Sequence, residues 1–271
     1  MVFLDSFNTI INDATVKKET RRLLDLGKND TLFSNYFGVN YNASDLVSVK
    51  LYFCYLKELP PDEVLREFIS DQDFMQLLKA NWKPSHTLKH HHDGITLSLK
   101  CYLKNGEVRI NKYAYFRTEK FLFGMPEKIQ LAGADLNNEP GFCIEQHENS
   151  KELKKYYYIS SAENKASLIK MFNCDQVIRM DDISLIEYTE SSEETKINIA
   201  LNTPGAVQNY LISDNNQNII DLSRFFYTNH QLLYFSPGLR LNSSTRALYY
   251  LPEYRYRELR SVNTIDSLFK N

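Results

Sequence analysis

Alternation of period two, arriving in pairs of segments, constrains this chain more than any other feature. Segments 31–41 and 45–56 are joined through Asn42 and Ser44, and 94–104 and 106–116 hinge at Asn105-Gly106, the strongest short hairpin signal. Segments 128–135 and 140–147 meet around Asn137-Asn138, 183–189 precedes 194–202, and 231–238 precedes 245–251. Helical patterns fall between the pairs, near 5–26, 61–81, 161–173, 206–227 and 252–270, the second opened by Pro60-Pro61-Asp62-Glu63. A helix–strand–strand unit thus recurs about five times at a period near 45 residues. No Pro/Gly/Ser-rich linker interrupts it, and the economical reading is one domain over 1–271. An antiparallel sheet of about ten strands ringed by helices predicts an α+β protein built on a closed β-barrel, because closure removes exposed edges. A solenoid or a propeller is the competing reading of such a period, and propeller blades have no intervening helices.

Successive side chains leave opposite faces of a strand, and here one parity is apolar and the other polar. In 45–55 Val47, Val49, Leu51, Phe53 and Tyr55 oppose Ser48, Lys50, Tyr52 and Cys54. In 95–103 Ile95, Leu97, Leu99, Cys101 and Leu103 oppose Thr96, Ser98, Lys100 and Tyr102. In 107–116 Val108, Ile110, Ala114 and Phe116 oppose Glu107, Arg109, Asn111, Tyr113 and Tyr115, and in 195–201 Ile197, Ile199 and Leu201 oppose Lys196 and Asn198. The ordinary explanation of such alternation is a sheet with one solvated face. Solvated faces mix Glu, Asp and Lys, whereas these repeat Lys or Arg with Tyr, in a chain that carries 18 tyrosines. The expectation is an enclosed lumen of cations and phenols, suited to a ligand at once anionic and apolar.

Composition narrows the function classes. A net charge of −2 argues against a dedicated nucleic-acid binder. No apolar run approaches the roughly 20 residues that span a bilayer, and MVFLDSFNTI has no basic segment ahead of an apolar one. Cys54, Cys101, Cys143 and Cys174 stand singly in apolar segments, as reduced packed thiols do. A soluble cytoplasmic monomer is expected. His86 and His90-His91-His92 do not make a metal site, since consecutive histidines on a strand alternate faces; an exposed loop is expected there. Asp181-Asp182 lacks a second acid at DDxxD spacing, and Lys154-Lys155-Tyr156-Tyr157-Tyr158 reads as a solvated edge rather than a nucleic-acid stacking patch. The sequence has no GxSxG, Walker or Rossmann fingerprint.

Four pieces, in order, resemble the soluble aromatic prenyltransferases of the ABBA fold, especially the bacterial type acting on naphthalene, phenazine or hydroxybenzoate-like acceptors. Gly106-Glu107-Val108 with Asn111-Lys112-Tyr113-Ala114-Tyr115-Phe116 is similar to that family's second hairpin, and Glu127-Lys128-Ile129-Gln130-Leu131 through Asp135 to the start of its third pair. Thr195-Lys196-Ile197-Asn198-Ile199-Ala200 resembles a strand bearing a diphosphate-binding cation, and Arg246-Ala247-Leu248-Tyr249-Tyr250, after Leu233-Tyr234-Phe235, the final hairpin. The chain also departs from the family. The segment between Phe116 and Glu127 is too short for the helix found there, Phe142 falls near a usually polar position, and Asn111 stands where a lysine is expected. That charge would fall to Arg109 or Lys112, and Lys112 is expected to face the helices. Lys50 stands where magnesium-dependent members carry an aspartate.

The resemblance implies transfer of a prenyl group from an allylic diphosphate (dimethylallyl, geranyl or longer) to a small electron-rich aromatic acceptor. It implies Lys50, Lys100, Arg109, Asn111, Lys196 and Arg246 as diphosphate ligands on polar strand faces. Tyr52, Tyr102, Tyr113, Tyr188, Tyr234 and Tyr250 would shield the carbocation, and Gln130 and Tyr250 would meet the acceptor. The base that takes the ring proton is not identified, no cofactor is implied, and magnesium is not expected to be essential. The alternatives are a non-catalytic barrel binding a small anionic or diphosphate-bearing ligand, and an interaction protein whose polar strand faces are merely solvated.

Overall fold

The computed structural model describes residues 10–27, 34–43, 45–55, 57–82, 84, 95–104, 107–118, 130–131, 134–135, 141–147, 150–159, 161–191, 194–201, 206, 209–210, 216–230 and 232–252. The chain divides into two compact units, 1–39 with 47–123 and 141–155, and 40–46 with 124–140 and 156–271.

The first unit is led by helix α1 (Ala14–Leu26). Its N-cap, Asp13, accepts a hydrogen bond from the Val16 amide at 2.9 Å, satisfying one of the donors a helix start leaves open. The hairpin strands β1 (Ser34–Tyr41) and β2 (Leu46–Tyr55) turn where the Asn42 amide donates to the Asp45 carbonyl. The helical pattern of 61–81 proves to be two helices, α2 (Asp62–Phe68) and α3 (Gln72–Asn81). The break falls at Asp71, whose carboxylate caps Phe74 N at 2.7 Å, so a capping side chain in mid-pattern starts a new helix. Strands β3 (Ile95–Lys104) and β4 (Glu107–Thr118) follow, their register closing on Lys104 opposite Glu107. β2, β3, β4 and β7 (Gly141–His147) pair antiparallel in that order.

The third pair differs from the sequence reading. Residues 130–131 (β5) and 134–135 (β6) form a separate two-stranded sheet, and β7 is instead followed in the main sheet by β8 (Ser150–Ile159). β8 contains the Lys154–Tyr158 run. A serine, two charged residues, a leucine, two lysines and three tyrosines in succession carry no period-two signal, so the strand is invisible to alternation.

One face of the first sheet packs on helices. The Tyr55 hydroxyl donates to the Leu23 carbonyl of α1 at 2.8 Å, and Val49, Leu51, Phe53, Leu97 and Leu99 are fully buried. Lys112 lies on this face, opposite Leu99, and donates to Glu19 of α1 (2.8 Å) and Glu67 of α2 (2.7 Å). Arg22 bridges the same two carboxylates at 2.6 and 2.8 Å. Burial alone would raise both acids, but hydrogen bonds from Arg22 and Lys112 outweigh it and hold them below the usual carboxylate range. A depressed folded pKa stabilises above the unfolded value of about 4.3 and ceases to as pH falls through the folded one. Denaturant midpoints taken from pH 6 down to pH 3 are therefore expected to fall more steeply for the wild type than for Lys112→Met; equal slopes would show that the network contributes nothing.

The second unit holds α4 (Ala162–Met171), capped by Ser161, then β9 (Ile183–Glu190), β10 (Thr195–Leu201), α5 (Gln217–His230), β11 (Leu232–Arg240) and β12 (Arg246–Pro252). β9, β10, β11 and β12 pair antiparallel in that order. Asn216 caps α5, accepting from the Ile219 amide at 3.2 Å. α5 covers the face that carries Leu248 and Tyr250, both fully buried. The helix expected near 252–270 lies outside the described residues. Among the described residues no helix is long and apolar enough to cross a membrane. Cys54, Cys101 and Cys174 are buried free thiols, and burial pushes Cys101 and Cys174 up to about 12.

Candidate functional site

Register arranges the polar face of the first sheet in rows about 7 Å apart, two residues along each strand. Starting at the β3–β4 hairpin, the rows are Ser48–Tyr102–Arg109, Lys50–Lys100–Asn111, Tyr52–Ser98–Tyr113, and Cys54–Thr96–Tyr115. Cations occupy the first two rows, and the next two carry Tyr52, Tyr113 and Tyr115 and no charge. Arg109 is exposed at the hairpin end and Lys100 and Tyr102 are half-buried. Deeper, Lys50 is 7% exposed, Asn111 5% and Ser98 0%, so this face is not solvated. Ser98 Oγ and Asn111 Oδ1 have no hydrogen-bond partner among the described residues. Buried polar atoms left so cost about 1–3 kcal/mol each, which a polar ligand or water relieves.

The phenols pack on one another and on the lysines. Tyr36 stacks on Tyr52 at 4.4 Å, and Tyr113 and Tyr115 lie parallel at 6.3 Å between centroids. Lys50 Nζ sits 3.6 Å from the centroid of Tyr113 and 4.5 Å from that of Tyr115, and Lys100 Nζ 4.6 Å from that of Tyr102. Burial alone would raise the Tyr102 phenol. Hydrogen bonds with Lys100 and Tyr113 and the charges of Lys100 and Arg109 outweigh it and hold the pKa below the ordinary phenol value. Tyr102 is thus a polarised hydroxyl at the edge of the cationic rows.

The second unit has its own polar face: Glu187 and Thr189 on β9, Lys196 and Asn198 on β10, Gly238 and Arg240 on β11, Ala247 and Tyr249 on β12. Asn198 donates to Glu187 at 2.8 Å and Arg240 Nε to Glu194 at 2.9 Å. Lys196 Nζ donates to the Tyr249 hydroxyl and lies 4.9 Å from its ring centroid. Its stem crosses β11 at Gly238, where a Cβ would stand 3.0 Å from Lys196 Cε and 2.8 Å from Asn198 Oδ1. Only glycine gives the lysine that path.

Three expected site residues fall on the other face. Tyr188 is opposite Ile197, and Arg246 is opposite Leu239, which is itself opposite Ile197; this is the apolar row, not the row of Lys196. Tyr250 shares the Arg246 parity, donates to or accepts from Ser223 of α5 at 2.8 Å, and meets Phe226 edge-on at 5.1 Å. Tyr41, Tyr210 and Cys174 feel the Arg246 charge. The sequence misleads here because both parities of Arg246–Leu251 and of Ile183–Glu190 are amphipathic, and tyrosine suits either side. Packing decides: the small Ala247 takes the crowded position beside Gly238, which turns Tyr249 and not Tyr250 toward Lys196.

Lys50, Lys100, Asn111, Tyr52, Tyr102 and Tyr113 share one face of the first sheet, and Arg109 lies at its mouth. Lys196 is on the polar face of the second. The side chains of Gln130 and Tyr234, His86, His90, His91, His92 and the side chain of Phe142 lie outside the described residues. Alternation could have added Tyr115, which has the parity of Tyr113. Tyr36, Arg240 and Tyr249 needed the register. Among the described residues no three His, Cys, Asp or Glu gather where a metal could be held.

An α+β protein of repeated α-β-β units, with helices on one face of each antiparallel sheet and a basic, phenolic face on the other, has the aromatic prenyltransferase fold. The chain is similar to 5-dimethylallyl tryptophan synthase from Streptomyces coelicolor, solved with DMASPP and Trp, with a TM-score of 0.59 at 10% identity over 96% of this chain and 94% of that one. It is likewise similar to 6-dimethylallyltryptophan synthase from Micromonospora olivasterospora, also solved with DMASPP and Trp (TM-score 0.57, 11% identity, 96% and 97% covered). The NotF prenyltransferase gives 0.51 at 10% identity, with 81% and 80% covered. At such identities the likeness establishes the fold. No protein-family model and no curated protein matches the sequence.

Proposed function

We propose that this protein is an aromatic prenyltransferase, moving a prenyl group from an allylic diphosphate to a small electron-rich aromatic molecule. The observation that carries the reading is the graded polar face of the first sheet: cationic rows at Arg109, Lys100 and Lys50, then phenolic rows at Tyr52, Tyr113 and Tyr115, with Lys50 and Asn111 buried. An allylic diphosphate has the same gradient, anionic at one end and cation-forming and apolar at the other. Two of the structurally similar enzymes were solved with DMASPP and Trp, which supports dimethylallyl diphosphate and an indole as the first substrates to try. The likeness also runs through 96% of the chain rather than one unit, which supports one domain whose ten main strands close into a barrel.

In this reading the allylic C–O bond breaks, its electron pair leaves with the diphosphate, and an aromatic carbon attacks the allylic cation; the ring then loses a proton. Lys50, Lys100, Asn111 and Arg109 stabilise the leaving diphosphate through charge-assisted hydrogen bonds. Tyr52, Tyr113 and Tyr115 face the cation with their π-clouds and keep water from it. Incubation with dimethylallyl diphosphate and a panel of indoles, naphthols and hydroxybenzoates, read by adduct mass and diphosphate release, tests it. No adduct with any acceptor, alongside a melting point raised by pyrophosphate, would leave a binding protein.

Turnover is expected to survive EDTA. The resemblance puts Lys50 where magnesium-dependent members carry an aspartate, and an ammonium there would repel a hard divalent cation that wants carboxylate oxygen. Activity lost to EDTA and restored by magnesium would contradict this.

A further inference from the structure

Lys50 and Lys100 stand directly opposite each other across β2 and β3, and like charges so placed repel. Their ammonium groups lean apart along the strands. Lys100 Nζ lies 4.6 Å from the ring centroid of Tyr102, one row toward the hairpin. Lys50 Nζ leans the other way, into the phenolic rows, 3.6 Å from Tyr113, 4.5 Å from Tyr115 and 5.6 Å from Tyr52. Tyr36 backs the Tyr52 ring at 4.4 Å. A cation held against several aromatic faces is the arrangement that recognises quaternary ammonium groups. Here the chain's own lysine fills it.

We propose that Tyr52, backed by Tyr36, forms with Tyr113 and Tyr115 a cation cage that Lys50 plugs until a polyphosphate bound across the Lys50–Lys100–Asn111 row draws the lysine out, opening the cage to an external organic cation. The inference rests on the anion-binding part of the proposed function and not on the transfer step. An anion between two opposed lysines turns their repulsion into shared attraction, and the cage row is about 7 Å away, within the sweep of a lysine stem. Removing the plug lifts the competition for the rings, so the anion and the external cation bind with positive coupling, which by linkage is reciprocal. For a substrate that ionises in place, this order admits cationic character to the cage only once its diphosphate is held.

Calorimetric titration of tetramethylammonium into the full chain, alone and with saturating inorganic pyrophosphate at matched ionic strength, reads this coupling. The affinity is expected to rise about tenfold with pyrophosphate, within the usual span of coupling factors. Lys50→Met is expected to bind tetramethylammonium without pyrophosphate and to gain nothing from it. Equal wild-type affinity in the two conditions, no binding in either, or a Lys50→Met protein that still requires pyrophosphate overturns the proposal. Should that variant not fold, the wild-type pair of titrations decides alone. Turnover without coupling would remove the plug and leave prenyl transfer standing; coupling without turnover would do the reverse.

Discussion

Lys196→Ala is expected to lower kcat/KM for prenyl transfer between about tenfold and more than a hundredfold, with little change in melting temperature. The lysine lies on the polar face of β10, its stem passing Gly238 and its ammonium on the Tyr249 hydroxyl. The family resemblance gives it the role of a diphosphate ligand, which would meet the charge that grows on the leaving group. Loss of such a charge-assisted contact is worth roughly 1.5–3 kcal/mol, which gives the range stated. The fold stands to lose little, because among the described residues the ammonium of Lys196 meets the Tyr249 hydroxyl and ring rather than a helix. Arg246→Ala supplies the contrast. Its register with Leu239 puts it on the opposite face, so stability should suffer and turnover should not. A Lys196→Ala enzyme with unaltered kcat/KM, or an Arg246→Ala enzyme of normal stability that has lost turnover, would reverse this assignment of the two faces.

Phe226→Ala is expected to destabilise the protein by about 3–5 kcal/mol, the usual cost of emptying a buried aromatic site. In a chain of this size that corresponds to a melting point lower by roughly 10 °C. Phe226 is 0% exposed on α5 and meets Tyr250 edge-on, so its loss opens the seam that holds the helix to β11 and β12. Tyr250→Phe keeps the ring and removes only the hydroxyl bonded to Ser223. It should cost about 1 kcal/mol and leave turnover unchanged, as fits a residue of the helix seam. A tenfold loss of turnover in Tyr250→Phe at unchanged melting temperature would restore Tyr250 to the acceptor site.

Alternation by itself determined the strands wherever one parity is unmistakably apolar. It placed β2, β3, β4 and β10, aligned Lys50, Lys100 and Asn111 with Tyr52, Tyr102 and Tyr113 on one face, and put Lys112 on the helix side, where it meets Glu19 and Glu67. Greasy and charged side chains differ by several kcal/mol in their preference for a packed face, so in those strands local sequence suffices. It could not find β8, where charge and aromatics come in runs, nor divide 61–81 at Asp71, where a single cap outweighs a continuous helical pattern. It could not orient β9 or β12 either, since tyrosine is at home on both faces and either parity buries similar apolar area. There the tertiary structure decided. Steric room at Gly238, one residue of bulge between Tyr234 and Ser236, and a hydroxyl partner on α5 fixed which tyrosine meets Lys196 and which is sealed beneath a helix. Those are contacts between residues far apart in the chain, and no local pattern encodes them.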